Sequence, residues 1–129
     1  MRRPPAPARL AAERAGRWAE RLAAWRLLLS GYRVVARNFR CPSGEIDLVI
    51  RRGRTLAFVE VKTRGTLAGA AEAIHARQQR RIRDAATAFL ARHPHWSDLT
   101  LRFDAVLVLP GRWPRHIADA WRDSDSWTR

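Results

Sequence analysis

An α/β sandwich on a central mixed sheet of four to five strands, flanked by helices, is the fold this chain predicts. Three observations carry it. Apolar residues recur at helical spacing in two long segments and at alternating or continuous strand spacing in four others. Those segments come in the order helix, three strands, helix, strand, so the third strand crosses to the fourth through the second helix, which makes that pair parallel. With 129 residues the chain is one domain, large enough for a real core.

Residues 1 to 8 are rich in Pro, Ala and Arg and read as a disordered tail, residues 9 to 122 as a single domain, and residues 123 to 129 as a second tail. From Arg9 to Leu29 the spacing is helical, and Ser30-Gly31 stops the helix. Two apolar faces are present on it. Trp18, Leu22, Trp25 and Leu29 make one, most simply core and alternatively a dimer seam; Ala23, Ala24 and Leu27 make the other, which also carries Glu20. Tyr32 to Phe39 reads as a strand and Cys41-Pro42-Ser43-Gly44 as a turn. Glu45 to Ile50 and Thr55 to Thr63 form a hairpin around Arg51-Arg52-Gly53-Arg54. A glycine-containing loop, Arg64 to Ala70, precedes a helix from Ala71 to Arg92 with Ile74, Ile82, Ala85, Ala86 and Phe89 as its buried stripe and Gln79 on the border of that stripe. His93-Pro94-His95 reads as the cap and turn after that helix. Leu99 to Leu109 is the fourth strand, and Ile117 to Trp121 a short terminal helix.

The hairpin register decides whether a site exists. With Ile50 opposite Thr55, Asp47 faces Phe58 and Glu45 faces Glu60, so Glu45, Asp47, Glu60 and Lys62 share one side. Asp47 and Glu60 are then diagonal neighbours, roughly 7–8 Å apart at the backbone and within reach of one metal ion. A slip of one residue would separate them. Ile46, Leu48, Ile50, Ala57, Val59 and Val61 make the opposite, apolar side.

Charge narrows the partners. Lys and Arg number 25 against 12 acids, a net +13, which points to nucleic acid or an anionic surface rather than to an acidic small molecule. Arg51, Arg52, Arg54, Arg64 and Arg80 are the candidate phosphate contacts. The longest apolar run, Leu27 to Leu29, is too short to cross a bilayer, and Arg2-Arg3 leads into prolines rather than a hydrophobic segment, so neither export nor insertion is indicated. Lone Cys41 offers no disulfide and suits a reducing cytoplasm. All but one of the basic residues are arginine; the exception is Lys62. An ammonium is a compact donor that can hold a water or give up a proton, which guanidinium cannot. A bare Glu-x-Lys is an ordinary solvated strand face; the spacing to Asp47 and the lone lysine set this one apart.

Asp47, followed after twelve residues by Glu60-Val61-Lys62 on the next strand, resembles the motif of the PD-(D/E)xK nuclease superfamily. Gly31-Tyr32, Arg37-Asn38-Phe39-Arg40, Gly44-Glu45-Ile46-Asp47-Leu48, Phe58 to Arg64, Gln79-Arg80-Arg81 and Arg102-Phe103-Asp104 resemble, more narrowly, the YraN-like family of uncharacterised bacterial proteins, over about residues 16 to 120. The resemblance implies a restriction-endonuclease-like fold similar to that of archaeal Holliday-junction resolvases. It implies Asp47, Glu60 and the Val61 carbonyl as ligands for Mg²⁺ or Mn²⁺, Lys62 as the catalytic lysine, Glu20 and Gln79 as further site residues, and Glu45 as a supporting partner. Gln78 and His75 stand where relatives often have Lys and Asp, which bears on how tightly DNA is held there.

The functions this leaves are a metal-dependent endonuclease acting on branched or structured DNA, in preference to RNA, and a non-catalytic nucleic-acid-binding protein that keeps a nuclease fold. A homodimer would fit the first, by analogy with resolvases that cut two strands symmetrically.

Overall fold

The computed structural model describes residues 6–63 and 76–121, with side chains over 16–63 and 78–121. The loop from Arg64, the expected helix start at Ala71, His75 and the C-terminal tail lie outside the described residues. Helix α1 spans Ala6–Leu29; strands β1 Arg33–Cys41, β2 Gly44–Arg52 and β3 Thr55–Thr63 follow; helix α2 spans Ala76–Arg92; a 3₁₀ turn Pro94–Trp96 leads to β4 Thr100–Val108 and β5 Arg115–Ile117.

Side-chain size decides which face of α1 meets the sheet. Ala19, Ala23, Ala24 and Leu27 are buried against Leu48, Ile50, Ala57, Val59, Val106 and Val108, because small residues let a helix lie close to a flat apolar surface. The aromatic stripe, expected as core, is on the solvent side: Trp18, Trp25 and Leu29 are 60%, 61% and 71% exposed. Tyr32 N–H closes the helix on the Leu27 carbonyl at 3.1 Å, with Gly31 at φ +89°, a helix end of the kind Ser30-Gly31 foretold.

Strands β1 to β5 lie in the sheet in sequence order. The first three form an antiparallel meander. β3 and β4 are parallel, as a crossover through α2 requires. This is the restriction-endonuclease-like α/β sandwich, with α1 on one face and α2 on the other. Ile117, expected in a terminal helix, is instead in the edge strand β5, opposite Ala105. Leu107, Leu109 and Ile117 form a small apolar cluster there, and a segment this short buries more by pairing with a sheet edge than by one helical turn.

The β2–β3 register differs from the expectation by two residues. Arg52 faces Thr55 and Ile50 faces Ala57, leaving Gly53-Arg54 as the whole turn, with Gly53 at φ +59°. Side chains alternate with period two, so a shift of two keeps the paired residues, Leu48 to Arg52 and Thr55 to Val59, on their expected faces. The side opposite α1 is nonetheless not wholly polar. Val49, Leu56 and Phe58 are buried there with Ile82, Ala85, Ala86 and Phe89 of α2, and Ile46, expected beside Leu48 and Ile50, joins this second core. Paired positions between β2 and β3 end at Leu48 and Val59, and the change of face between Ile46 and Leu48 occurs where that pairing stops. Phe89 sits edge-on to Phe39 and Phe58 and stacks on His93, while His93 Nδ1 meets the Phe89 carbonyl at 3.0 Å, which makes His93 the cap of α2.

Gly44 is a close-approach glycine. A Cβ there would lie 2.6 Å from the Arg81 carbonyl oxygen of α2, too short for any contact that leaves the backbone in place. Gly44→Ala is expected to push α2 off the sheet and cost roughly 1–3 kcal/mol. An unchanged melting temperature would contradict this contact.

Candidate functional site

Beyond Leu48 and Val59 the strands no longer supply each other's hydrogen bonds in register, and a side chain fills the gap. Asp47 Oδ2 accepts the Val61 backbone N–H at 2.8 Å, which pins the carboxylate against β3. Glu60, 7% exposed, stands close enough to Asp47 for each carboxyl to act on the other's charge. Lys62 Nζ lies 3.1 Å from Glu60 Oε1, with only 16% of its side chain exposed. From α2, Gln78 Nε2 donates to the same Glu60 oxygen at 2.8 Å. From β1, the Asn38 amide, turned nitrogen-first, donates to Glu20 Oε1 of α1 at 2.9 Å. Three strands and both helices thus each contribute a polar side chain to one end of the sheet.

The electrostatics record how crowded these acids are. Burial, then the neighbouring Asp47 charge, pushes Glu60 from 4.5 up to about 7. Asp47 is also raised, chiefly by burial and then by Glu45, against the lowering effect of the Val61 N–H. Glu20 is raised by burial and by the charges of Asp47 and Glu45. Between pH 4.5 and 7, therefore, folded Glu60 holds a proton that the unfolded chain releases, so stability falls as pH rises through that window and the full cost stands above it. Glu60→Gln is expected to stabilise the metal-free protein above pH 7 by roughly 1–3 kcal/mol and to flatten its pH dependence. Thermal melts of both proteins from pH 5 to 8 check this; parallel profiles would refute it.

A cleft of about 640 Å³ opens beside these groups, lined by Glu60, Gln78, Arg40, Glu45, Arg81 and Ile82 among others. Glu45, expected opposite Glu60, sits instead across from Arg40 and forms an exposed ion pair with it at 3.1 Å. Asp47 lies just past the last paired position, Leu48 opposite Val59, with its carboxylate on the Val61 N–H. Gln79 is half-buried on α2, one residue past the glutamine that reaches Glu60.

Of the expected phosphate contacts, Arg80 is exposed on α2 and Arg64 lies outside the described residues. Arg51, Arg52 and Arg54 lie at the hairpin end of β3, where Arg52 covers the Tyr32 ring at 4.3 Å and Arg54 bonds the Asp98 carbonyl at 3.4 Å. Glu60 is five residues farther along the strand, about 16 Å away. The arginines at the cleft are Arg40 and Arg81, which sequence reasoning missed. Their signals were there: Arg40 flanks the Cys41 to Gly44 turn opposite Glu45, and Arg81 is one helical turn after Gln78.

Among the described residues no group of three or more His, Cys, Asp or Glu side chains could hold a metal ion, so there is no all-protein cage. Two hard carboxylates in a crowded, partly protonated pair do fit Mg²⁺ or Mn²⁺, which take one or two carboxylates and fill their remaining positions with water and phosphate oxygen.

A second polar cluster was not anticipated. Asp104, fully buried, accepts Arg102 through both oxygens at 2.7 Å, His116 Nε2 at 2.7 Å and the Asp119 backbone N–H at 3.0 Å, while Arg102 also reaches the Tyr32 hydroxyl at 2.7 Å. It ties β4, the β5 segment and the end of α1 together and belongs to stability.

Among the described residues no helix is long and apolar enough to cross a membrane. The family profile described as "Uncharacterised protein family UPF0102" matches residues 19–108. The chain is 63% identical over 113 residues to a UPF0102 protein of Parvibaculum lavamentivorans, covering 88% of this chain and 85% of that one. It is 58% identical over 103 residues to one from Methylorubrum extorquens, 80% of each, and 52% identical over 118 residues to one from Rhodopseudomonas palustris, 92% and 91%. With matches of this extent, and with the acids and lysine of the sequence motif gathered at one end of the sheet, the chain belongs to the uncharacterised UPF0102, or YraN, family.

Proposed function

We propose that this protein is a metal-dependent endonuclease that hydrolyses phosphodiester bonds in branched or structured DNA in the cytoplasm. The observation that carries this reading is the Asp47–Glu60 carboxyl pair held against Lys62. Buried acids at this spacing cost folding energy, and such an arrangement is found chiefly where chemistry needs it.

Asp47 and Glu60 would hold Mg²⁺ or Mn²⁺, which supplies charge neutralisation on the phosphate and a bound water of lowered pKa. The chain's own groups do the rest. Lys62 hydrogen-bonds the attacking water or the phosphate oxygens and stabilises the negative charge that builds on them. Asp47 stays fixed by the Val61 N–H, so its carboxylate needs no reorganisation. Arg40 and Arg81 at the cleft contact the flanking phosphates, and Glu20 with Asn38 closes the α1 side.

A non-catalytic DNA-binding role is favoured by one feature: Glu60 Oε1 already takes bonds from Lys62 and Gln78, which an incoming metal would have to displace. The test is incubation of metal-free protein with labelled duplex, flap, junction and single-stranded DNA, with and without Mg²⁺ or Mn²⁺. Metal-dependent cleavage of at least one substrate is expected, and none on any substrate moves the assignment to the binder. Under either reading affinity falls steeply between low and physiological salt, because each phosphate contact releases a counterion. A flat salt profile would count against nucleic acid altogether.

A further inference from the structure

A second groove, of about 460 Å³, lies between α1 and the segment that follows β4. Leu22 and Pro114 give it an apolar lining, Arg112 adds charge, and each side contributes an indole, Trp18 from α1 and Trp113 from the loop. These indoles are 60% and 57% exposed. Scattered apolar residues on a surface need no explanation, but two tryptophans lining one groove in a chain of net charge +13 form a combination suited to a particular ligand: a planar apolar group joined to an anion. Arg17 and Arg21, exposed on α1 beside Trp18, extend the positive rim.

The groove reaches the same end of β3 as the site but lies on the opposite, α1 side of the sheet. Thr63 lines it, one residue after Lys62, and successive side chains of a strand point to opposite faces. Val108 and Leu109 line it too, because parallel β3 and β4 bring their C-terminal ends together. Resting on the endonuclease reading, we propose that this groove takes an unpaired nucleobase of a single-stranded segment, stacked on Trp18 and Trp113, with the strand passing around the end of β3 toward Lys62. Bases inside a duplex are stacked on one another and cannot reach an indole, so the groove selects junction arms, flaps or single strands over continuous duplex. A second copy of the chain is the weaker occupant, since it would bring Arg112, Arg21 and Arg17 against their own kind.

Binding of labelled oligo-dT and of a blunt duplex of equal length, measured in EDTA at one salt concentration, tests this. The parent is expected to prefer oligo-dT. Trp18→Ala and Trp113→Ala should each weaken oligo-dT by about 5- to 100-fold, with a much smaller change for duplex, and Trp113→Phe should recover most of the loss. Thermal melts confirm that these exposed positions leave the fold intact. No preference for oligo-dT, equal losses on both probes, or a dimer in sedimentation that the alanine variants dissociate would each overturn the proposal. The outcome is separable from the catalytic one: a parent that cleaves nothing yet shows this binding pattern loses the endonuclease reading and keeps the groove, whereas cleavage without single-strand preference loses the groove alone.

Discussion

Cleavage by the Lys62→Arg variant is expected to fall by ~10² or more while nucleic-acid binding survives. Charge is retained, so steering toward phosphate is intact. What is lost is a compact donor that fits beside Glu60, 3.1 Å away, because a planar guanidinium neither occupies the same space nor gives up a proton. The lysine is more enclosed than a polar strand face would make it, with 16% of its side chain exposed, so a modest loss of stability accompanies the substitution and must be measured beside the rate. Asp47→Asn removes a metal ligand and should abolish cleavage, but with one negative charge fewer near the phosphate its affinity should equal or exceed that of the parent. A non-catalytic binder would show no activity to lose and little change in affinity. Unchanged cleavage by Lys62→Arg would end the role assigned to that residue.

The largest effect on stability is expected at Asp104. Asp104→Ala strands Arg102 and His116 around a site with no solvent access, and breaking a buried ionic network from one side costs ~3–5 kcal/mol, a large share of the ~5–15 kcal/mol that holds a domain together. Asp98 is the contrast: 77% of its side chain is exposed, it lies 3.9 Å from Arg54, and Asp98→Ala should cost less than about 1 kcal/mol. The pH dependence follows from the same contacts. Burial alone would raise Asp104, but His116, Arg102 and the Asp119 N–H outweigh it and hold the carboxyl below its ordinary 3.8. Its contribution is therefore complete above the ordinary carboxylate range and is lost as pH falls through the lowered value. Denaturant unfolding of the three proteins decides the matter, and equal losses at Asp104 and Asp98 would show the network to be no stronger than a surface pair.

Much of the fold was legible because its signals are local. Strand β3 came out with the bounds predicted for it, and Ile82, Ala85, Ala86 and Phe89 formed the buried stripe of α2. The hairpin register was misplaced because an arginine-rich turn carries no Asn-Gly signature, so nothing in Arg51-Arg52-Gly53-Arg54 says which pair is central. The error cost little, since faces depend on parity. The reading of α1 failed for a different reason: hydrophobicity ranks tryptophan above alanine, whereas the closeness of helix to sheet favoured Ala19, Ala23 and Ala24. Asp104 was illegible because nothing in Arg102-Phe103-Asp104 reveals that both faces of β4 are covered. Asp47, Glu60 and Lys62 were legible because their chemistry is rare in this chain, while Gln78, Arg40 and Arg81 gain meaning only once α2 is laid across the β1–β2 hairpin.

The outer strand β1 has one more consequence. A sheet of five strands in sequence order leaves β1 as an open border, and an open border invites another chain to add itself. Here the border is irregular: pairing shifts between Val34 and Ala36, Asn38 takes φ +49°, and Arg33, Arg37 and Arg40 are exposed along it. A kinked, cationic edge resists strand addition by a like-charged copy. The protein can thus stay dispersed at concentrations where a smooth edge would template fibres, and two of the residues that do this, Arg37 and Asn38, also act on Glu20.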